Sequence, residues 1–297
     1  MKVSRLPDTE PRARRVAVGT FDGVHLGHRE VIGGADTVVT FDPHPTAVIQ
    51  PHAAPRLLTD ATRKAQLIAS LGVQELVVIG FDAQFAAQSA QEFLDEVLVA
   101  KLGATHVAVG ENFRFGRKAQ GDKDLLRADE RFETRVAELV EIDGEVVSSS
   151  HIRGLVLGGA VEYAGRLLGD AFTLAGIVVH GDERGRELGY PTANLVPNPA
   201  CVTPGHGVYA ARATTSTGQT YPAAVSIGVR PTFVTGRGEL IEAYLLDFAG
   251  DLYDSRLQVA FLKRLRGEKR FDSVDALIVQ MALDVDAARD IYDRSAS

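Results

Sequence analysis

The chain has little of several features that would place it in a special class. One cysteine, Cys201, occurs among 297 residues, so no disulfide within the chain is possible and a reducing compartment is the simplest expectation. Tryptophan is absent, and no apolar run approaches the roughly 18 residues of a membrane span. Residues 1–15 are polar and lack the apolar core of a secretory signal. These absences predict a cytoplasmic protein with no membrane partner.

Basic residues are not in excess either. The 32 lysines and arginines are outnumbered by 39 acidic residues, which gives a net charge of −7. Nucleic-acid-binding proteins usually carry a basic face, so this balance argues against a nucleic-acid partner, although a few local arginines could hold a small anion. With 45% hydrophobic and 24% charged residues, the composition is that of a globular protein, and the length favours two domains. Nothing in it indicates an obligate protein partner.

The first half of the chain alternates between strand-like and helical patterns. The strand-like runs are residues 16–18, 35–41, 75–81 and 105–110, and the helical segments are residues 62–72 and 89–103. Continuous apolar strands separated by amphipathic helices predict a parallel sheet that is covered on both faces. A further helix is expected over residues 159–169, closed by Gly169.

Beyond residue 170 the pattern changes to strands alone. The strand-like runs, separated by glycine, proline and aspartate turns, are residues 172–180, 207–215, 220–228, 239–247 and 257–263. They predict an antiparallel unit that closes as a small β-barrel. An amphipathic helix follows over residues 273–292. We therefore expect two domains, residues 1–169 and residues 170–297.

Two histidines stand three residues apart where the first apolar run gives way to a helix, in GTFDGVHLGH (residues 19–28). A helix N-terminus presents unpaired N–H groups and partial positive charge, so it attracts anions. His25 and His28 would add ring donors that become charged at little cost near neutral pH, which suits a phosphate. Two alternatives stay open here: a zinc pair, which needs further ligands, and two surface histidines without a role.

Three later motifs give this turn a wider context. GTFDGVHLGH resembles the HxGH signature of nucleotidyltransferases, and it is followed by TFDPHP, VGENFRFG and VSSSHIR. Together the four motifs resemble the N-terminal module of the bacterial bifunctional riboflavin kinase/FMN adenylyltransferases. The resemblance implies a Rossmann-like α/β nucleotidyltransferase domain that joins FMN and ATP into FAD.

The same resemblance implies roles for individual residues. His25 and His28 would be catalytic and would stabilise the α-phosphate of ATP. The implied ATP- and phosphate-binding residues are Gly19, Phe21, Asn112, Ser149, Ser150 and Arg153, and the implied flavin-binding residues are Asp42, Pro43 and Phe113. The chain departs from the family in two places: Ser150 replaces a threonine, and the helix after His28 is clearly shorter.

A second constellation lies in HGDERGRELGYPTANL (residues 180–195). It is neither a Walker-type loop nor a strand–GxGxxG–helix pattern, but its glycines and arginines could fold over phosphates through backbone N–H groups. Thr192 and Asn194, two residues apart on an extended segment, would face one side with oxygen ligands suited to Mg²⁺. The alternative from spacing alone is a polar surface loop.

Glu242 lies in the strand-like run LIEAYLL. Alternation places it on a face with Leu240, Tyr244 and Leu246. A carboxylate among apolar side chains could serve as a general base. The alternative is a glutamate that faces solvent from an antiparallel strand.

The C-terminal motifs resemble the riboflavin kinase module of the same family. They are GRELGYPTANL, GVYAA, IGVRPTF, IEAYLLDFAGDLY and LRGEKRFDSVDAL, in that order. The resemblance implies a six-stranded antiparallel barrel, Mg²⁺ held by Thr192 and Asn194, and Glu242 as the base for the ribityl hydroxyl. The implied ATP-binding residues are Gly181, Gly185, Arg186, Gly189 and Thr192, and the implied flavin-binding residues are Arg230 and Phe233.

The expected activity is phosphorylation of riboflavin to FMN by ATP, followed by adenylylation of FMN to FAD with release of pyrophosphate. The substrates would be ATP, riboflavin and FMN, and the cofactor Mg²⁺. Two other interpretations remain: a kinase whose shortened N-terminal module has lost adenylylation, and a flavin-binding protein without turnover.

Overall fold

The computed structural model describes residues 1–181, 189–229 and 239–296. The chain divides into two compact units, Met1–Ser149 and Ser150–Ser297. The first unit contains a parallel sheet and the second a closed antiparallel barrel, so both parts of the predicted fold class are confirmed.

The first unit is built on six parallel strands in the order β1-β4-β3-β2-β5-β6. They are β1 (Lys2–Arg5), β2 (Arg14–Val18), β3 (Thr37–Asp42), β4 (Glu75–Gly80), β5 (Ala104–Gly110) and β6 (Glu133–Ala137). The two edge strands, β1 and β6, were not predicted from the sequence, because their exposed side chains hide the apolar signal. A short hairpin, β7 (Glu141–Ile142) and β8 (Glu145–Val146), follows the sheet.

Helices cover both faces of this sheet. They are α1 (Leu26–Ile32), α2 (Pro45–Ile49), α3 (Ala61–Ser70), α4 (Ala83–Ala86), α5 (Ala90–Glu92), which continues as a π-helix over Phe93–Lys101, and α6 (Lys123–Arg127). Val16 of β2 packs in a core with Leu94 and Leu98, whereas its neighbour Ala17 packs in another with Ile68. Successive residues of a strand point to opposite faces, so this division gives the sheet a core on each side, as the sequence predicts.

The second unit is a closed barrel in the order β10-β13-β12-β11-β14-β9, with every neighbouring pair antiparallel. Its strands are β9 (Phe172–Val179), β10 (Ala193–Pro197), β11 (Gly207–Thr214), β12 (Thr220–Val229), β13 (Glu239–Leu245) and β14 (Arg256–Arg266). Five of the six were predicted as strands. The sixth, β10, coincides with the extended segment that carries Asn194.

Three of the described helices accompany the barrel: α7 (Ser149–Leu157), α8 (Val161–Leu168) and α9 (Val274–Ala296). Helix α8 packs against β9 and β14, which places it with the second unit. The contact-defined division therefore falls at the start of α7, earlier than the sequence-based boundary between residues 169 and 170. Gly169 ends α8 in the left-handed conformation, with a φ of +72°, as the sequence predicts.

The described residues were also searched for membrane-spanning helices. None of the helices in that part of the chain combines the length and the apolar character needed to cross a bilayer.

Candidate active sites

The first unit has a large cavity at the carboxyl ends of its strands. Its volume is about 1150 Å³, and its lining includes Gly19 after β2, Phe41 of β3, Phe81 after β4 and Gly110 of β5. The sheet order reverses at β2, since the chain passes from β2 to β3 on one side and β5 lies on the other. Ligands of open α/β sheets bind at such a reversal. Of the predicted site residues, those that line the cavity are Gly19, Phe21, His25, His28, Asn112 and Phe113.

The two histidines form a stacked pair at the start of α1. Their ring centroids are 3.6 Å apart and their planes differ by 18°. His25 is the N-cap of the helix, and its Nδ1 accepts a hydrogen bond from the His28 N–H at 3.3 Å. The Phe21 ring meets the His28 ring edge-on, with centroids 5.3 Å apart. Both rings are therefore fixed against one wall of the cavity.

The electrostatics of this pair differ from the sequence expectation. Burial lowers the pKa of His25 to about 4. Burial, His25 and Lys64 together lower the pKa of His28 well below its ordinary value. In the free site both imidazoles are neutral near pH 7, so the expectation of easily gained positive charge is wrong for the free protein. A bound anion would counter this by favouring the charged form.

Phenylalanines form an aromatic wall of the cavity. Six of the cavity-lining rings form a spatial series in which each ring contacts the next, with centroids 5.3–6.3 Å apart. In order along this series they are Phe41, Phe81, Phe85, Phe93, Phe115 and Phe113. They come from segments scattered between residues 41 and 115, so the sequence identified only Phe113. A continuous aromatic surface of this kind suits a planar ring system.

Sequence reasoning also missed Lys64 on α3. Its side chain is buried, and its Nζ donates to the Thr20 carbonyl at 2.8 Å in the turn before His25. One signal was available: Lys64 precedes the fully buried Ile68 by one helical turn, so both share the inward face of α3.

Other predicted residues of this module lie outside the cavity lining. Asp42 and Pro43 are exposed at the end of β3, and Asp42 forms an ion pair with Arg5 at 3.8 Å. The Ser149 hydroxyl donates to the Asp22 carbonyl at 2.9 Å, and this bond stabilises the turn that carries the histidines. Ser150 and Arg153 follow on α7, and their assignment to the phosphates stays a prediction.

In the barrel, the predicted kinase residues meet through strand register. Asn194 of β10 lies directly opposite Glu242 of β13, and Glu242 lies opposite Ser226 of β12. Directly opposed side chains share a face, with Cβ atoms about 4.5–5.5 Å apart. Ala193, Ile241 and their alternate neighbours fill the barrel interior, so Asn194 and Glu242 share its outer face. The cross-strand neighbours of Glu242 are thus polar, not the apolar set that alternation along one strand suggested.

Asn194 also carries an unsatisfied group. Its Oδ1 is buried and has no hydrogen-bond partner among the described residues, and a buried polar atom without a partner is costly. A Cβ on Gly181 would overlap the Asn194 amide, so glycine is needed there. Thr192 is half-buried two residues before Asn194. Gly189 has a φ of +85°, and the adjacent Tyr190 packs edge-on against Tyr244, with ring centroids 5.3 Å apart.

Four predicted residues lie outside the described part of the chain: Gly185, Arg186, Arg230 and Phe233. Within the described part, no group of three or more His, Cys, Asp or Glu side chains is arranged to hold a metal ion. A magnesium site built from threonine and asparagine oxygens is of a different kind.

Comparison with known proteins gives matches over both units. The family model described as FAD synthetase matches residues 8–151, and the one described as riboflavin kinase matches residues 168–292. A bifunctional riboflavin kinase/FMN adenylyltransferase from Pseudomonas fluorescens is 40% identical, over 97% of this chain and 96% of the relative. One from Listeria monocytogenes is 37% identical, over 93% and 92%.

A solved structure matches the whole backbone. It is described as a macrolide-efflux protein from Streptococcus pneumoniae, and it aligns with a TM-score of 0.87 at 31% identity, covering 97% of this chain and 99% of that one. Both units therefore have a counterpart in a single experimental structure.

Proposed function

The chain belongs to the bifunctional riboflavin kinase/FMN adenylyltransferase family, and we propose that its two units carry out the two steps of FAD synthesis. The barrel phosphorylates riboflavin to FMN, and the α/β unit adenylylates FMN to FAD. The observation that carries the proposal is the cavity of the first unit, which is lined by both the two helix-start histidines and the aromatic wall. Residues 1–169 and 170–297 remain the proposed extents of the two domains.

In the adenylylation step, a phosphate oxygen of FMN attacks the α-phosphorus of ATP. A P–O bond forms to FMN, the bond between the α-phosphorus and the bridging oxygen breaks, and pyrophosphate leaves with that electron pair. The nucleophile is already an anion, so no base is needed. His25 and His28 donate hydrogen bonds to the charge that builds up on the α-phosphate, and such preorganised donors favour the transition state over the ground state.

The aromatic wall gives this unit a place for the flavin ring. Phe113, at the end of the ring series, would stack on the isoalloxazine, with Asp42 and Pro43 at the rim. Asn112, Gly19, Phe21, Ser149, Ser150 and Arg153 are proposed on the nucleotide side. The shortened helix α1 keeps the stacked histidine pair at its N-terminus, which favours an active adenylyltransferase over a kinase that has lost this step.

In the kinase step, the ribityl hydroxyl of riboflavin attacks the γ-phosphorus of ATP. The carboxylate of Glu242 accepts the hydroxyl proton as the new P–O bond forms. The bond between the γ-phosphorus and the β–γ bridging oxygen breaks, and ADP leaves with that electron pair. Phosphoryl transfer depends mainly on positioning and charge neutralisation. The register that places Glu242 beside Asn194 therefore supports the kinase step. Gly181, Gly185, Arg186 and Gly189 are proposed around the phosphates, and Arg230 and Phe233 at the flavin.

The proposed cofactor, Mg²⁺, fits the residues that are present. Asn194 offers a buried Oδ1 that has no hydrogen-bond partner among the described residues, and Thr192 offers a hydroxyl two residues earlier in the chain. Magnesium prefers oxygen ligands and would neutralise charge on the phosphates of ATP. The need for ATP in both steps also supports a cytoplasmic location.

Product analysis tests the proposal. The purified chain is incubated with riboflavin, ATP and Mg²⁺, and flavins are separated by chromatography. FMN followed by FAD is expected, with one pyrophosphate per FAD. FMN alone would indicate a kinase without adenylylation, and unchanged riboflavin with bound flavin would indicate a binding protein.

A further inference from the structure

The turn that carries the two histidines has an unfavourable backbone. Phe21 and Val24 both have positive φ angles, +48° and +45°. A side chain with a Cβ avoids this region, and a β-branched residue such as Val24 does so most strongly. Such conformations persist only where the surroundings over-determine them, and they cluster at functional sites. The turn therefore needs support from outside itself.

The segment before α3 supplies part of that support. The N–H groups of Leu58 and Thr59 donate to Asp22 Oδ1 at 2.8 and 3.2 Å. The Thr59 hydroxyl accepts a hydrogen bond from the Gly23 N–H at 3.2 Å. Together these bonds hold the middle of the turn in place. Two of them are made by Asp22, which is only 1% exposed.

Lys64 supplies the support at the start of the turn. Its Nζ donates to the Thr20 carbonyl at 2.8 Å, and the Thr40 hydroxyl donates to the same oxygen at 3.0 Å. The lysine side chain is 9% exposed. Burial lowers the pKa of Lys64, and the carboxylates of Asp22 and Asp42 counter that effect. A buried cation is costly, and an apolar residue would fill this inward position of α3 at less cost.

We propose that Lys64 is a positioning residue for adenylylation, which fixes the Thr20 carbonyl at the start of the histidine turn. The inference rests on the proposed function. By holding the turn, Lys64 keeps the stacked histidines in place to contact the α-phosphate.

The charge effect is specific to one histidine. The groups that act on His28 are its burial, the stacked His25 ring and Lys64, and Lys64 is itself faced by Asp22 and Asp42. For His25, burial is the cause of the lowered pKa. Removal of Lys64 should therefore raise the pKa of both histidines by loosening the turn, and that of His28 further because the lysine charge is lost.

Three variants separate these effects. Lys64→Met removes the donor and the charge but keeps the apolar stem, and Lys64→Arg keeps both. Lys101→Met is the matched control, because Lys101 Nζ also donates to a backbone carbonyl at 2.8 Å, that of Pro7, away from the cavity lining. If Lys64→Met fails to fold, Lys64→Gln replaces it, since the amide keeps a donor without the charge.

The first measurement is the rate of FAD formation from supplied FMN and ATP, with riboflavin phosphorylation by the same preparation as an internal standard. We expect Lys64→Met to lower the adenylylation kcat by about 10²-fold, as small misplacements of catalytic groups do, with the kinase rate unchanged. Lys64→Arg should recover most of the rate, and Lys101→Met should match the wild type.

The second measurement is the NMR titration of the histidine rings without substrate, assigned with His25→Asn and His28→Gln. In Lys64→Met, the His28 resonance should titrate at a higher pH than in the wild type and should shift by more than that of His25. This titration needs no turnover, so it tests the inference even if the wild type makes no FAD, a result that would refute the proposed function instead. Unchanged titration of both rings, or a wild-type kcat in Lys64→Met, would overturn the inference.

Discussion

Asn194 and Glu242 occupy directly opposite positions on strands β10 and β13, so their side chains share one face of the barrel. The Asn194 Oδ1 is buried and has no hydrogen-bond partner in the part of the chain that the structure describes. A shift of that register by one residue would put the two side chains on opposite faces of the barrel wall. The relationship places a candidate metal ligand beside a candidate base, as a kinase that activates a hydroxyl requires.

Replacement of the base gives the first prediction. Glu242→Gln keeps the shape but cannot accept the ribityl proton, so FMN formation should fall by roughly 10²–10⁴-fold. FAD synthesis from supplied FMN should stay near normal, because the FMN phosphate needs no base. Glu162→Gln, which makes the same change at an exposed glutamate of the second unit, is the control. Riboflavin phosphorylation at the wild-type rate in Glu242→Gln would remove the base assignment.

The second prediction is that a change at His28 impairs adenylylation and leaves the kinase step intact. His28→Ala removes a donor aimed at the α-phosphate, and loss of one such donor costs roughly 10²–10³-fold in rate. FMN should accumulate from riboflavin and ATP with little FAD, while the kinase rate is unchanged. His52→Ala, at an exposed histidine of the same unit, should behave like the wild type. Zinc analysis of the same preparations tests the alternative of a zinc pair, which predicts that the metal content falls in His28→Ala. Undiminished FAD output would exclude His28 from the active site.

The third prediction concerns acid stability. His25 has a pKa of about 4 in the folded protein and an ordinary value near 6.5 when unfolded, so the unfolded chain binds the proton more readily. The stabilising contribution of the neutral ring is complete above pH 6.5 and is lost as the pH falls toward 4, by up to about 3 kcal/mol. After correction for the intrinsic exchange rate, the protection of strand β2 amides should therefore fall across this window.

His25→Asn tests the assignment, because asparagine keeps an N-cap acceptor but does not titrate. Its exchange rates should depend less on pH after correction for the intrinsic rate. Tyrosine fluorescence serves as a control for the other unit, since all seven tyrosines lie beyond residue 149. Equal pH dependence of β2 exchange in both proteins would contradict the lowered pKa.

The fourth prediction concerns the short helix that carries the histidines. Arg135 Nη2 donates to the carbonyls of Glu30, Val31 and Gly33 at 2.8–2.9 Å and so caps the C-terminal end of α1. Arg135→Gln should destabilise the first unit by about 1 kcal/mol, since the guanidinium is partly exposed and screened. Adenylylation should fall with it, and the kinase rate should not.

Arg127→Gln is the control for that change. Arg127 forms an exposed ion pair with Asp124 on the same helix, so its loss should be nearly neutral. Stability is read from hydrogen exchange in α1. Unchanged α1 protection in Arg135→Gln would show that this helix does not depend on the cap.

The sequence by itself determined the two fold classes and the position of the histidine turn. Apolar periodicity is a local property, so the buried strands β2 to β5 and most barrel strands could be read directly. The Gly169 cap and the start of α1 likewise depend on a few adjacent residues. The family motifs added roles for these positions that spacing alone left open.

Only the tertiary structure decided which distant residues meet. The phenylalanine wall joins rings from four separate stretches, Lys64 reaches the Thr20 carbonyl across 44 positions, and Asn194 meets Glu242 only through the β10–β13 register. Edge strands such as β1 carry polar side chains and pair through backbone atoms, which leave no pattern in the sequence. Each of these contacts depends on the packing of the whole unit, because long-range pairing is set by the combined burial of many side chains and not by the local preference of any one segment.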